Sequence, residues 1–193
     1  MPWYRTEARE MGRKTMIMNA RGFTATTIFL FLAITGAAHA DVTVRFEEDA
    51  PKDRFVITNQ SNCTFGRGKL IIDLSPSSRG LLFDTLRGGD GENVAQPVEI
   101  ASAHKLVATV APVRDGAQSV ELSFRSFPSN GRLVMTVDVD DSVKSGPMGV
   151  QMIAGSEMSG ARVIINLLNG TARAAAFNSQ GAARVPASDC RFN

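Results

Sequence analysis

The chain has 193 residues with 21 basic and 19 acidic side chains, which give it a formal net charge of +2. From position 41 onward the sequence holds sixteen basic and seventeen acidic residues, so the positive surplus belongs to the N-terminal segment. A nearly neutral chain without a basic run is poorly suited to binding nucleic acid or an anionic membrane surface.

The first forty residues have the organisation of a secretory signal peptide. Basic residues precede the apolar run at 28–34, and the Ala-x-Ala motif Ala38-His39-Ala40 follows it. These parts match the basic region, apolar region and cleavage motif of exported proteins. The apolar run is shorter than the ~20 residues that span a bilayer. We therefore predict cleavage after Ala40, no membrane span afterwards, and one domain over residues 41–193 in the periplasm or outside the cell.

Two cysteines, Cys63 and Cys190, lie in the predicted exported part. An even number of cysteines in an oxidising compartment predicts a disulfide. That bond would close a loop of nearly the whole domain and contribute ~4–5 kcal/mol on the chain-entropy estimate. The alternative is a redox or nucleophilic pair, but the spacing is unlike Cys-x-x-Cys. We favour the structural cross-link.

Beyond residue 40, short apolar runs recur about every ten residues with turn residues between them, and no stretch has a helical period. We predict strands over the following ranges: 42–46, 55–58, 69–74, 80–85, 94–100, 106–113 and 150–153. This spacing predicts an all-β fold, an immunoglobulin-like antiparallel β-sandwich of about eight to ten strands.

Two further pairs of strands are predicted as β-hairpins. Residues 118–125 and 132–141 alternate apolar and polar side chains on either side of a Pro-Ser-Asn-Gly segment. Residues 162–168 and 171–177 flank Asn169-Gly170, a strong two-residue turn signal. The sequence after Ser179 is small and polar, and we predict no strand there.

Few residues offer catalytic chemistry. His104 is the only histidine after position 40, so a serine or cysteine nucleophile with a histidine base would have to use it. No recognisable nucleophile motif accompanies it. One histidine and two cysteines in a disulfide cannot complete a zinc site. Trp3 and Tyr4 are the only residues of their types, and both precede the predicted cleavage point, so neither remains to stack on a sugar ring.

The most distinctive chemical feature is a cluster of carboxylates at the end of the strand 132–141. Alternation places Asp138 and Asp140 on one face, with Asp141 just beyond. Calcium takes six to eight oxygen ligands, many of them carboxylate. Asp84 and Glu157, each at the end of an apolar run, are the candidates that would complete the shell. The alternative is a charged strand edge that prevents aggregation.

Five short segments also carry a resemblance to a known group. They are Asp53–Asn59, Ile72–Ser75, Leu82–Thr85, Val137–Ser142 and Gly155–Ala161. In this order they resemble short exported bacterial proteins labelled aggregation-factor-core-like. The resemblance implies an adhesive, calcium-associated β-sandwich. Adhesins usually repeat their domain, whereas this chain holds one copy and no internal repeat.

These features support three hypotheses for function. The first is an exported, non-enzymatic binding or adhesion protein with a cell-envelope or extracellular ligand and a calcium site. The alternative is a carboxylate-based hydrolase of an envelope polymer, for which Asp84, Asp140, Asp141 and Glu157 are the candidate acids. The third is an accessory subunit that adds a strand to a partner through an uncharged edge.

Overall fold

The structure is a computed structural model that describes residues 41–87, 96–102, 105–141, 152–168 and 172–186. All of them belong to one compact unit, Ala37–Asn193. The predicted signal peptide, His104 and Cys190 lie outside the described residues. The pairing of Cys63 with Cys190 therefore stays a prediction.

The described residues form eleven strands and no helix. The strands are β1 (Asp41–Glu47), β2 (Asp53–Asn59), β3 (Gly68–Asp73), β4 (Leu82–Asp84), β5 (Glu99–Ser102), β6 (Val107–Val110), β7 (Ser119–Phe124), β8 (Arg132–Asp140), β9 (Arg162–Leu167), β10 (Ala172–Ala176) and β11 (Ala182–Pro186). The predicted all-β class is confirmed. Within the described ranges there is accordingly no helix with the length and apolar character needed to cross a membrane.

The strands form two antiparallel sheets, as expected of a β-sandwich. One sheet has six strands in the order β11-β1-β2-β8-β4, and β5 also pairs with β8. The other has five strands in the order β10-β9-β3-β7-β6. Strand β8 therefore has two short neighbours on one side, because β5 pairs with its first half and β4 with its last residues.

The core follows the alternation of the strands, since every second side chain of a strand shares a face. In β8 the buried set is Leu133, Met135, Val137 and Val139. Phe55 of β2 packs against the rings of Phe46, Phe83 and Phe177, with centroids 5.4, 6.3 and 6.4 Å away. Phe177 directly follows β10, so this aromatic cluster links both sheets.

The predicted hairpin over 118–141 is wrong, although both of its strands exist. β7 lies between β3 and β6, whereas β8 lies in the other sheet beside β2. Phe127, in the connection, is buried and exchanges backbone hydrogen bonds of 2.9 Å with Phe65. The Asn59 side-chain amide donates to the carbonyl oxygens of Phe127 and Pro128 at 3.0 and 2.9 Å. These distant partners hold the connection as a crossover between sheets.

Other local predictions had mixed outcomes. The second hairpin is confirmed, because β9 and β10 pair antiparallel. Of the predicted strand 150–153, residues 150 and 151 lie outside the described residues, and Met152 and Ile153 are not in a strand. The backbone N–H of Ile153 donates instead to Glu48 Oε2 at 2.8 Å. β11 lies in the tail where no strand was predicted, and it pairs with β1. The alternating pattern of β11 is weak in the sequence, because Ala183 and Val185 are its only buried apolar residues.

Candidate metal centre

Strands β4 and β8 bring three of the predicted ligands together. Asp84, the last residue of β4, lies opposite Asp138 of β8. Asp140 lies two residues further along β8 and therefore on the same face. That face is the outer one, because Val137 and Val139 between them point into the core. The short strand β4 thus adds a carboxylate to two that β8 already carries.

One carboxylate oxygen from each of Asp84, Asp138 and Asp140 lies within 4.8 Å of the other two. Asp84 is 0% exposed and Asp140 is 3% exposed, while Asp138 is half-buried. Negative charges this close, and largely removed from water, repel one another unless a proton or a cation is shared. Oxygen-only ligand sets suit hard divalent cations such as calcium, magnesium and manganese.

The other two predicted ligands, Asp141 and Glu157, contact an arginine. Arg79 Nη2 lies 3.3 Å from Asp141 Oδ2, and Arg79 Nε lies 3.4 Å from Glu157 Oε1. The Asp141 side chain is 1% exposed and that of Arg79 is 52% exposed, so only the carboxylate end of the ion pair is buried. The five predicted ligands therefore fall into a cluster of three carboxylates and a pair bridged by Arg79.

Asp53 is a functional candidate that the sequence analysis does not identify. It is the first residue of β2, and it is 2% exposed. Its Oδ2 accepts a hydrogen bond from the Val139 backbone at 2.9 Å. The signal available in the sequence was the alternation of the strand. Asp53, Phe55 and Ile57 are alternate residues of β2, so their side chains share its inward-facing side.

The environment of Asp53 favours its protonated form. Burial is the largest cause, and the charge of Glu48 adds to it, so that the pKa of Asp53 rises to about 8. Asp138 acts in the same direction, whereas hydrogen bonds from the backbone of Val139 and Asp49 oppose the rise. Burial also raises the pKa of Glu48, whose hydrogen bond from Ile153 acts against it. The acidic character of this corner thus extends past the three clustered aspartates.

Gln96 lies in the segment between β4 and β5 and carries a neutral amide oxygen. Its side chain is 4% exposed, and its Oε1 accepts no hydrogen bond from any described residue. Lys52 anchors the next residues, since its Nζ donates to Pro97 O at 2.8 Å and lies 3.0 Å from Glu99 Oε2. Amide oxygens are among the ligands that calcium takes in proteins.

No protein-family model, curated protein or solved structure matches the chain. The interpretation of the acidic corner consequently depends on its own geometry.

Proposed function

We propose that this chain is an exported, non-enzymatic binding protein with an immunoglobulin-like β-sandwich and a divalent cation at the β4–β8 corner. The observation that carries the proposal is the meeting of Asp84, Asp138 and Asp140 within 4.8 Å on adjacent strands. A bound cation would neutralise this cluster and tie the short strand β4 to β8. It would thereby order the corner next to which an envelope or extracellular ligand docks.

Calcium is the cation that we propose first. It accepts six to eight oxygen ligands in flexible arrangements, whereas magnesium demands a near-octahedral shell and retains several waters. Three carboxylates supply part of such a shell, and Gln96 is the candidate for a neutral ligand. Two of the three carboxylates are buried, which favours a dehydrated ion over one that keeps most of its water.

Burial also favours binding over hydrolysis. A hydrolase needs two carboxyl groups that reach the scissile bond. Asp84 and Asp140 are 0% and 3% exposed, so a polymer cannot contact them without rearrangement of the corner. Asp141 and Glu157 are engaged by Arg79. The four carboxylates considered for hydrolysis therefore serve better as ligands and structural groups than as an acid and a base.

The connections support the immunoglobulin-like assignment. Strands that follow each other in the sequence repeatedly lie in different sheets. This holds for β2 and β3, for β7 and β8, and for β10 and β11. Exchange of this kind is typical of Greek-key sandwiches. The hypothesis that a partner protein adds a strand to this sheet has weaker support. The edge strand β6 is uncharged, but a register shift between Val107 and Thr109 interrupts its pairing with β7.

Thermal unfolding in the presence of calcium, compared with a chelator, tests whether the corner binds a cation. A ligand present at about 100 times its dissociation constant stabilises the native state by about 2.7 kcal/mol. For a domain of this size we expect the melting temperature to rise by about 5–10 °C. Asp140→Asn should abolish this rise, and it should raise the melting temperature in chelator because it relieves repulsion.

Asp73→Asn is the matched control, because Asp73 ends β3 in the other sheet and its side chain accepts hydrogen bonds from Ser75. It should respond to calcium as the unmodified chain does. An equal calcium response in the Asp140→Asn variant, or no response of the unmodified chain to calcium, magnesium or manganese, would remove the cation site.

A further inference from the structure

Two exposed arginines flank the last residue pair between β3 and β7 in the five-stranded sheet. Gly68 of β3 pairs with Phe124 of β7, and Arg67 and Arg125 lie just outside these strands, directly before β3 and directly after β7. Phe124 points into the core, so alternation turns both arginines outward, where they are exposed. Like charges that lie close together on one face of a sheet destabilise it.

A lysine on the same face has a carboxylate partner, whereas the two arginines form no ion pair within the part of the chain that the structure describes. Lys69 Nζ, on the same face, lies 2.8 Å from Glu121 Oε1. Among the described residues, no carboxylate forms an ion pair with Arg67 or Arg125. Two guanidinium groups that border one cavity create a local positive potential there, which an anion would relieve.

The arginines also border a cavity of about 580 Å³. Its lining on this face includes Arg67, Lys69, Ser123, Arg125, Asn166 and Leu168. A cavity of this size has room for a group much larger than a single ion. The Ser123 hydroxyl and the Asn166 amide provide further donors beside the guanidinium groups.

We propose that Arg67 and Arg125 form a binding site for an oxyanion group, which is a carboxylate, sulfate or phosphate. The planar guanidinium donates two parallel hydrogen bonds to such groups, and a pair of them can hold one group from two sides. The group arrives either as a free ion or as a substituent of a larger anionic polymer. This site lies on a different sheet from the acidic corner and does not depend on the cation proposed there.

Backbone amide chemical shifts, titrated with sodium sulfate against sodium chloride at equal ionic strength, test the site. We expect saturable shifts at Arg67, Ser123 and Arg125. Arg125→Gln removes the charged donor of these hydrogen bonds and should weaken the affinity for sulfate by about tenfold or more. Arg67→Lys, which keeps the charge and loses the two-pronged geometry, should have an intermediate affinity.

Arg132→Gln is the charge-matched control, because Arg132 is an exposed residue at the start of β8 in the other sheet. It should bind sulfate as the unmodified chain does. Dextran sulfate, compared with neutral dextran, distinguishes the sources: tighter binding per sulfate group indicates a polymer ligand, and equal binding indicates a free ion. Shifts that do not saturate, or equal weakening by Arg125→Gln and Arg132→Gln, would overturn the proposal.

Discussion

The burial of the Asp53 side chain determines whether it carries a charge in the folded protein. It occupies an inward-facing position at the start of β2, where a carboxylate would normally be replaced by an apolar residue. Its backbone partners satisfy the oxygen atoms, but they do not supply a positive charge. The proton retained by the raised pKa makes this position tolerable, because a neutral carboxyl group is far less costly to bury than a charged one.

This raised pKa predicts a dependence of stability on pH. The ordinary pKa of Asp53 is 3.8, and in the folded protein it is about 8. Between these values the native state binds more protons than the unfolded state, so the free energy of unfolding falls as pH rises. The contribution is complete below about pH 4 and lost above about pH 8. Urea unfolding at a series of pH values measures this slope.

The Asp53→Asn variant isolates the effect, because asparagine keeps an oxygen acceptor for the Val139 backbone and does not titrate. Its unfolding free energy should fall less steeply between pH 4 and pH 8 than that of the unmodified chain. Asp73→Asn, on the other sheet, should retain the original slope. Parallel pH profiles for the unmodified chain and Asp53→Asn would show that Asp53 is ionised in the folded protein.

At the scale of a single element, β3 depends on a glycine at its first position. A Cβ atom at Gly68 would lie 2.6 Å from Phe124 Cζ and 2.7 Å from the backbone oxygen of Asn166. Both neighbours belong to the strands that flank β3, so the missing side chain lets β7 and β9 pack closely across it. Gly66, just before the strand, has open space around its Cβ position.

We therefore expect Gly68→Ala and Gly66→Ala to differ sharply. Overpacking at a site enclosed by backbone costs about 1–3 kcal/mol, so Gly68→Ala should destabilise the protein by that amount. Gly66→Ala should change the unfolding free energy by less than about 0.5 kcal/mol. Denaturant midpoints at constant slope provide the measurement, and equal effects of the two substitutions would contradict the packing at β3.

The crossover between β7 and β8 shows how one element can depend on residues far away in the sequence. Asn59, at the end of β2, is fully buried and directs its amide to three carbonyl oxygens, those of Cys63, Phe127 and Pro128, at 2.8–3.0 Å. Its oxygen accepts hydrogen bonds from the backbone and hydroxyl of Ser61. One side chain thus joins the connection after β2 to the crossover.

At the scale of the whole molecule, the two sheets share one core. Buried residues of both sheets belong to a single hydrophobic cluster, and Phe55 contacts an aromatic residue that follows a strand of the other sheet. Neither sheet keeps its apolar face away from water without the other. Separate unfolding of the sheets would expose that shared surface, so it is unfavourable.

This shared core predicts one cooperative unfolding transition. Leu122→Ala, at a buried site in β7, should cost about 2–5 kcal/mol and lower the melting of the whole domain. Each kcal/mol corresponds to roughly 2–4 °C for a domain of this size. Leu86→Ala, at a side chain that is 59% exposed, is the matched control and should leave the transition unchanged. Calorimetry that resolves two transitions would contradict the shared core.

The sequence alone was sufficient to predict the all-β class and most strand positions, because alternation of apolar and polar residues is a local property that each strand carries in itself. The pairing of β9 with β10 followed for the same reason, since a two-residue turn leaves adjacent strands little choice. Asp84, Asp138 and Asp140 were likewise predicted as companions from their positions at strand ends.

Tertiary structure decided what local patterns could not. The Pro-Ser-Asn-Gly segment between β7 and β8 does form a turn, but the two strands lie in different sheets. The contacts of Phe127 with Phe65 and of Asn59 with the crossover hold this arrangement. Three further features also depend on partners distant in the chain. They are the burial of Asp53, the ion pairs of Asp141 and Glu157 with Arg79, and the position of Arg67 and Arg125 at one cavity. Periodicity tells which face of a strand is apolar, whereas the identity of its neighbours follows only from packing the whole chain.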